Sequence, residues 1–436
     1  MFMSLLPLAQ AAPVEIVRPQ EVRPLPGALD GVPVFNSNSP ELIGTPGILL
    51  STFPPEGMAA PEAHLDFAFE GRFDVFAHHV YKALTPEELE PVYVALLVHN
   101  PGSEAVDLRV LAGASYLSQP DAPFISLPAQ VPFSPREPVY AGPGSRAMGD
   151  LIRDHRQELF PPQLTVAPGA SALLMNLPIP IAELEPPING RSTLLELDSS
   201  GPLHLASLAQ IAEETPTLDS WQTLLTQGDL AGPRDRAPTP IGAPGQVIYG
   251  RVAGVADGAS WSATATDPDS ERLDIPAEGS AFSYGISTLY AGRLGTGQNQ
   301  TAAMVRRYED TAYEAHGNYG VEYRLTLPLY NPEDRARTVT VAFETPIKED
   351  TLSTEGLRFF EEPPNRTFFR GPVQIRYRDD RGLPRIRNVH LVQLRGQQSD
   401  PLATLTLEPG EERRVEVILR YPPDSTPPQV MTVQGL

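Results

Sequence analysis

HGNYGVEYRLTLPLYNPEDRARTVTVAF, residues 316 to 343, is the stretch on which the fold turns. Leu325, Leu327 and Leu329 alternate with Thr326, Pro328 and Tyr330, and Val339, Val341 and Phe343 resume the alternation after a polar loop. Period-two spacing buries one face of a strand, so this stretch predicts two strands joined at Asn331-Pro332. Asn tolerates left-handed backbone and Pro restricts φ, which makes the pair a defined turn.

The same construction occurs earlier, where Val94, Leu96 and Val98 lead to Asn100-Pro101 and then to Val106, Leu108 and Val110. A second echo follows each unit. LTVAPGASALLMNL, 164 to 177, and LTLEPGEERRVEVIL, 405 to 419, both read as strand, Pro-Gly turn, strand. Asn100 precedes Pro168 by 68 positions and Asn331 precedes Pro409 by 78. Landmarks in fixed order at similar separation mark repeated units. The expectation is an all-β protein of two β-sandwich-like domains with a few short helices.

Composition agrees with that class. At 436 residues the chain exceeds the size at which one core keeps growing. Its 49 prolines suit short strands and rigid turns, because Pro lacks an N–H and is excluded from helix interiors and central strands. The organisation read from the chain is a signal peptide at 1–11, an extended Pro-rich segment at 12–30, an N-terminal β-domain at 31–227, a Pro/Gly-rich linker at 228–246 and a C-terminal β-domain at 247–436. Within it, helices are expected from about 145 to 160 and from 217 to 227. Hairpins are expected at 64–82, turning at Glu70-Gly71, and at 188–212.

The balance of 33 basic and 54 acidic residues, net −21, opposes approach to a phosphate backbone and argues against nucleic acid as a partner. Cysteine is absent, which removes thiolate nucleophiles, zinc–thiolate sites and disulfides together. Only Lys82 and Lys348 are lysines, so Schiff-base chemistry would rest on one of those two. Phe2 to Leu8 is apolar and is followed by Ala9-Gln10-Ala11, the small-x-small pattern of a secretory cleavage site, which predicts export. No other apolar run approaches the ~18 residues that span a bilayer, so no membrane span is expected.

The densest polar and aromatic cluster lies just before the organising strand: Tyr308, Glu309, Asp310, Tyr313, Glu314, His316, Asn318 and Tyr319. Tyrosine faces stack on sugar rings while carboxylates and amides bond hydroxyls, so these eight residues form the expected glycan-binding loop. The competing reading is an inter-strand loop whose rings cap a core. Glu309, Asp310 and Glu314 also supply carboxylates of the kind a glycoside hydrolase pairs around a bond. His64, Asp66, Asp74, His78, His79 and His99 include metal-ligand types, but His78 and His79 face opposite sides of a regular strand and no ligand spacing links them. No metal and no cofactor is expected, and neither a phosphate-binding Gly loop nor a G-x-S-x-G elbow occurs.

Several phrases resemble, as a set, the domain of unknown function 3370 family of cyanobacteria: RPLPGALDGVPVFNSNSPE, GILLSTFP, SYLSQPDAPF, AGPGSR, NGRST, AGPRDRAPTP, DTAYEAHGNYG and YPPDSTPPQV. They run from about Arg23 to Val430. The resemblance implies an exported, envelope-associated or extracellular protein and carries over no catalytic residues. The functional expectation is a non-enzymatic exported envelope or extracellular protein that binds a surface glycan or polymer. The alternatives are a glycan-active hydrolase using carboxylates near 309–314 and a purely structural partner of an envelope protein.

Overall fold

The two Asn-Pro corners fold alike, bond for bond. Asn100 and Asn331 are both fully buried. The Asn100 amide donates to the carbonyls of Glu104 and Val166, its Oδ1 accepts from Gly102 N, and its own N–H donates to Ala170 O. Asn331 repeats this set with Arg335 and Leu407, Glu333 N, and Glu411 O. Each asparagine therefore fastens its own turn to the neck of the Pro-Gly hairpin that comes about 70 residues later.

Strand pairing repeats with the corners. Val92–His99 pairs with Ser171–Ile179, and Val106–Leu117 pairs with both Gln163–Val166 and Ile188–Ile211. In the second half Glu322–Tyr330 pairs with Glu412–Arg420, and Arg337–Glu344 pairs with Ala403–Leu407 and Gln429–Gly435. In both copies the corner carries the chain from one sheet to the sheet facing it, so alternate residues on either side of it point into the same core. Leu96, Val98, Leu108 and Val110 enter one core, and Leu325, Leu327, Leu329, Val339, Val341 and Phe343 enter the other. Burying each such side chain contributes roughly 1.5–3 kcal/mol, which is what fixes the register.

This computed structural model describes residues 13–436 except 84, 86, 135–138 and 235. The expected signal peptide at 1–11 falls outside the described residues. The Glu15–Pro19 and Glu21–Arg23 strands, from the Pro-rich segment, pair with Gly356–Phe360 and Ala281–Ile286. Ala253–Asp257 lies between Pro33–Ser37 and Ala302–Arg307, so the first sheet system takes strands from both sides of the 228–246 stretch. Gln130–Pro132 pairs with Pro384–Leu394 in return.

A buried ionic cluster joins the two sheet systems. Arg420, at the end of Glu412–Arg420, pairs with Glu196 and lies 3.6 Å from Asp74 and 3.4 Å from Glu322. Arg72 pairs with Asp74 and reaches Glu196 at 3.2 Å.

Several expected elements differ in extent. The first helix is Pro143–Leu151 and stops short of residue 160. Asp154 adopts a left-handed φ of 55°, and the chain then bonds Gly113 through His155 O and Gln157 N, so strand contact overrides helical spacing. The second helix, Leu218–Gln227, has Thr217 Oγ1 accepting from Ser220 N as its cap. The hairpin expected at 64–82 is a single strand, Phe69–Lys82, in which Gly71 with φ 68° makes an irregularity rather than a reversal. Leu65 and Phe67 bond Ser51 and Thr52 instead. Likewise 188–212 is one 24-residue strand, Ile188–Ile211, which slips register between Ser199 and Leu203 and passes from one sheet to the other.

Candidate functional site

Residues 247 to 252 leave the Pro/Gly-rich stretch and thread between the turn after Pro33–Ser37 and the 308–319 loop. Their backbone is stitched on both sides. Asn38 N donates to Val252 O at 2.9 Å, and Ala312 N donates to Arg251 O at 2.8 Å. Thr239 N donates to Ile248 O at 2.8 Å, folding the stretch back over the loop.

Neighbouring openings flank this thread. On one side a slot of about 30 Å³ is walled by Tyr249, Tyr290, Tyr313, Glu314, His316 and the exposed Ile241. On the other a cavity of about 340 Å³ is lined by Asn38, Arg236, Gly250, Arg251, His316 and Tyr319. Past Arg251, which pairs with Glu41, a third opening of about 290 Å³ lies among Pro40, Glu41, Leu42 and Ile188. His316 borders the first two openings and Arg251 the last two, so the three are neighbours, a row of openings along the thread that makes the candidate groove.

The eight residues of the expected binding loop divide in this setting. Tyr313, Glu314, His316 and Tyr319 line the groove. Arg307 lies over the Tyr313 ring with its guanidinium carbon 3.9 Å from the centroid. Glu314 accepts from Asn299 Nδ2 at 3.0 and 3.1 Å. His316 Nε2 is 2.7 Å from Gly250 O, and because a carbonyl only accepts, Nε2 carries the proton. Burial, reinforced by Lys348 and Arg251, lowers His316 to about 4, so the ring is neutral near pH 7 and presents Nδ1 as an acceptor. Tyr319 donates to Ser425 O at 2.9 Å, and burial raises its phenol to about 12.

The other four do different work. Tyr308 is 4% exposed, donates to Ala63 O and accepts from Ser51 N, and burial pushes its phenol well above the usual range. Asp310 is gripped by Arg234 through both oxygens, at 2.8 and 2.7 Å. Asn318, at a left-handed φ of 49°, bonds Ala302 N, Gln300 O and Tyr323 Oη and so closes the loop onto the core. Glu309 is exposed and its backbone carbonyl accepts from Arg307.

Residues outside the expected set complete the groove. Tyr249 donates to Tyr290 O at 2.5 Å, and its ring lies 5.0 Å from that of His316. Arg236 is exposed and makes no ion pair among the described residues. Asn38 Oδ1 is buried without a hydrogen-bond partner there. Tyr249 and Arg251 follow the Pro/Gly-rich 228–246 stretch, and nothing in their local sequence marks them as a groove wall.

Phrases far apart in the chain meet beside this groove. His78 bonds Ser192 Oγ of NGRST through Nδ1 at 2.8 Å and sits 3.9 Å from Glu41 of FNSNSPE. A methyl group on Gly144 of AGPGSR would sit 3.6 Å from Ser192 Oγ, and Tyr319 bonds Ser425 of YPPDSTPPQV. A wider opening lies elsewhere, about 1000 Å³ between the 379–382 and 408–412 hairpin tips. Its charges largely satisfy one another, Arg413 with Asp380 and Glu411 and Arg376 with Glu416, so it is an ion-paired rim rather than a site poised for a ligand. The histidines and aspartates of the early strands do not converge, and no group of three metal-ligating side chains gathers among the described residues. No helix among them is long and apolar enough to cross a membrane.

No curated protein matches the chain. The model of a family described as protein of unknown function DUF3370 matches residues 20–435, nearly the whole length, and the chain belongs to that DUF3370 family.

Proposed function

We propose that this is a non-enzymatic exported protein of the cell envelope or extracellular space that binds a surface glycan through the groove beside residues 313–319. The observation that carries the reading is the row of Tyr249, Tyr290, Tyr313, Glu314 and His316 at the edge of the roomier cavity of about 340 Å³ lined by Arg236, Arg251 and Tyr319. Aromatic faces offer sugar rings an apolar platform, and carboxylate, imidazole and amide groups at the edges match their hydroxyls. Binding is favoured over hydrolysis because Asp310 is gripped by Arg234 and Glu309 lies outside the lining, which leaves Glu314 as the one carboxylate of the 309–314 set facing the slot, where a hydrolase needs a pair. Export rests on the apolar run ending at Ala9-Gln10-Ala11.

A glycan array probed with the wild-type chain and with Tyr313→Ala tests the ligand. Binding that weakens at least tenfold in the variant supports the groove, and silence of the wild type across the array removes the carbohydrate proposal. N-terminal sequencing of the mature protein from the cell fractions tests export. A start before Ala12 in a cytosolic fraction ends it.

A further inference from the structure

Behind the aromatic slot sits one of the two lysines. Lys348 is partly buried and donates from Nζ to Tyr249 Oη at 3.0 Å, with Nζ 4.8 Å from the centre of that ring. Its stem runs close over Gly292. A β-carbon on Gly292 would sit 2.7 Å from Lys348 Cε, so the side chain as it lies uses the space that glycine leaves open. Tyr249 is fixed in turn by its bond to Tyr290 O.

What the amine lacks is a carboxylate. No Asp or Glu lies within ion-pair distance of Nζ among the described residues, although Asp350 is close enough to be felt. Asp350 is taken by Arg293, which bonds it through Nε at 2.7 Å, through a second guanidinium nitrogen and through its backbone N–H. That grip holds Asp350 below the usual carboxylate range. A desolvated ammonium without a counter-charge gives up its proton readily, and such lysines serve as nucleophiles toward carbonyl groups.

We propose that Lys348 is a reactive amine that condenses with aldehydes, either small free aldehydes or the open-chain end of a reducing sugar. The Nζ lone pair attacks the carbonyl carbon and a C–N bond forms. Both amine hydrogens leave with the carbonyl oxygen as water, giving an imine with no change of oxidation state. The site is independent of the glycan reading, since any aldehyde that reaches the amine reports on it.

The test uses the full chain with glycolaldehyde and cyanoborohydride, which reduces the imine to a stable secondary amine, followed by peptide mapping. Lys348 is expected to be labelled at least tenfold faster than the exposed Lys82, with a rate that climbs through about pH 8, the value to which burial lowers it. Lys82 keeping pace, or Lys348 staying unlabelled, overturns the proposal. Arg293→Gln frees Asp350 to pair with the amine and should slow labelling several-fold, whereas Asp350→Asn should not slow it. Equal rates in these two variants would also count against the mechanism. Faster labelling by a reducing disaccharide than by glycolaldehyde points to the sugar as the source, and the reverse to free aldehydes.

Discussion

The Asn100 and Asn331 corners share their hydrogen bonds and differ in what surrounds them. At the first, small residues stand around the asparagine: Gly102, Ala167 and Ala170. At the second, Glu333 pairs with Arg335 and Arg337, Glu411 with Arg413, and Asn331 gains a third carbonyl, that of Glu408. The proline-rich turns that follow the two Pro-Gly hairpins diverge further. The first, 180–187, leaves Glu183 and Glu185 exposed, while the second, 421–428, enters the seam and sets Asp424 beside Gly142 at the start of the Pro143–Leu151 helix. The lesson is that buried amide-to-carbonyl bonds define the repeat, whereas charges were free to vary around it and were used to join the halves.

The strongest way to break that arrangement is at the join. Arg420→Ala removes the cation shared by Asp74, Glu196 and Glu322, leaving the less buried Arg72 on the first two and Arg324 on the third, and removing one partner of a buried ion pair costs up to about 3–5 kcal/mol. The expected result is a large drop in the unfolding midpoint. Hydrogen exchange should rise on both sides, in Phe69–Lys82 and in Glu322–Tyr330 alike. Loosening confined to the second half would mean that the cluster does not couple the two.

Next come the corners. Asn331→Ala and Asn100→Ala each strand two carbonyls and one N–H, since the Glu408 carbonyl near Asn331 keeps its bond from Glu411 N. At about 1 kcal/mol per buried group left unpaired, each variant should lose about 2–4 kcal/mol, and the two losses should be similar. Exchange should rise locally, in Ala403–Leu407 and Glu412–Arg420 for one and in Gln163–Val166 and Ser171–Ile179 for the other. If either variant loosens both hairpins equally, the copies are not separate cooperative units.

The corners were legible in the sequence because alternation and an Asn-Pro pair are local signals. The long strands were less so. Gly71 and the Ser199–Leu203 slip look like reversals in sequence, and only pairing with distant strands decides that they are bends. The final strand, Gln429–Gly435, hides behind a proline-rich turn, yet it pairs with Ala281–Ile286 and Arg337–Glu344 in its sheet. Of the groove, the 313–319 loop was visible as an aromatic and acidic cluster. Its other wall was not, because Tyr249, Arg251 and Asn38 reach it through folding of segments that carry turn chemistry. Tyr308 and Asn318 were read as ligand-facing, but a tyrosine and an asparagine that satisfy buried backbone groups have the same local signature as ones that bind.

A smaller effect should separate the two proline-rich turns. Burial raises Asp424 to about 6 from an ordinary 3.8, with Arg370 opposing and Glu41 reinforcing the shift, and its Oδ2 has no hydrogen-bond partner among the described residues. The folded protein then holds this proton more tightly than the unfolded chain, so between about pH 4 and 6 stability falls as pH rises. Buried Asp74, raised to about 6 as well, contributes to the same slope, so Asp424→Asn should remove only part of it and raise stability above pH 6 by up to about 3 kcal/mol. Unfolding midpoints across the range measure it, and a variant that keeps the wild-type slope would assign the slope to other groups.

The smallest effect bears on charge at the corners themselves. Pairs such as Glu333 with Arg335 are largely exposed, worth well under about 1 kcal/mol, and screened by salt, whereas the amide bonds of Asn331 are buried and are not. Molar salt should therefore speed exchange slightly in the 331–337 turn and leave the 100–106 turn unchanged, since no ion pair holds the latter among the described residues. Glu333→Gln should remove the salt response while the strands on either side keep their protection. If instead the second corner opens fully in salt, its ion pairs rather than its asparagine hold it shut, and the two corners are alike in geometry but not in what stabilises them.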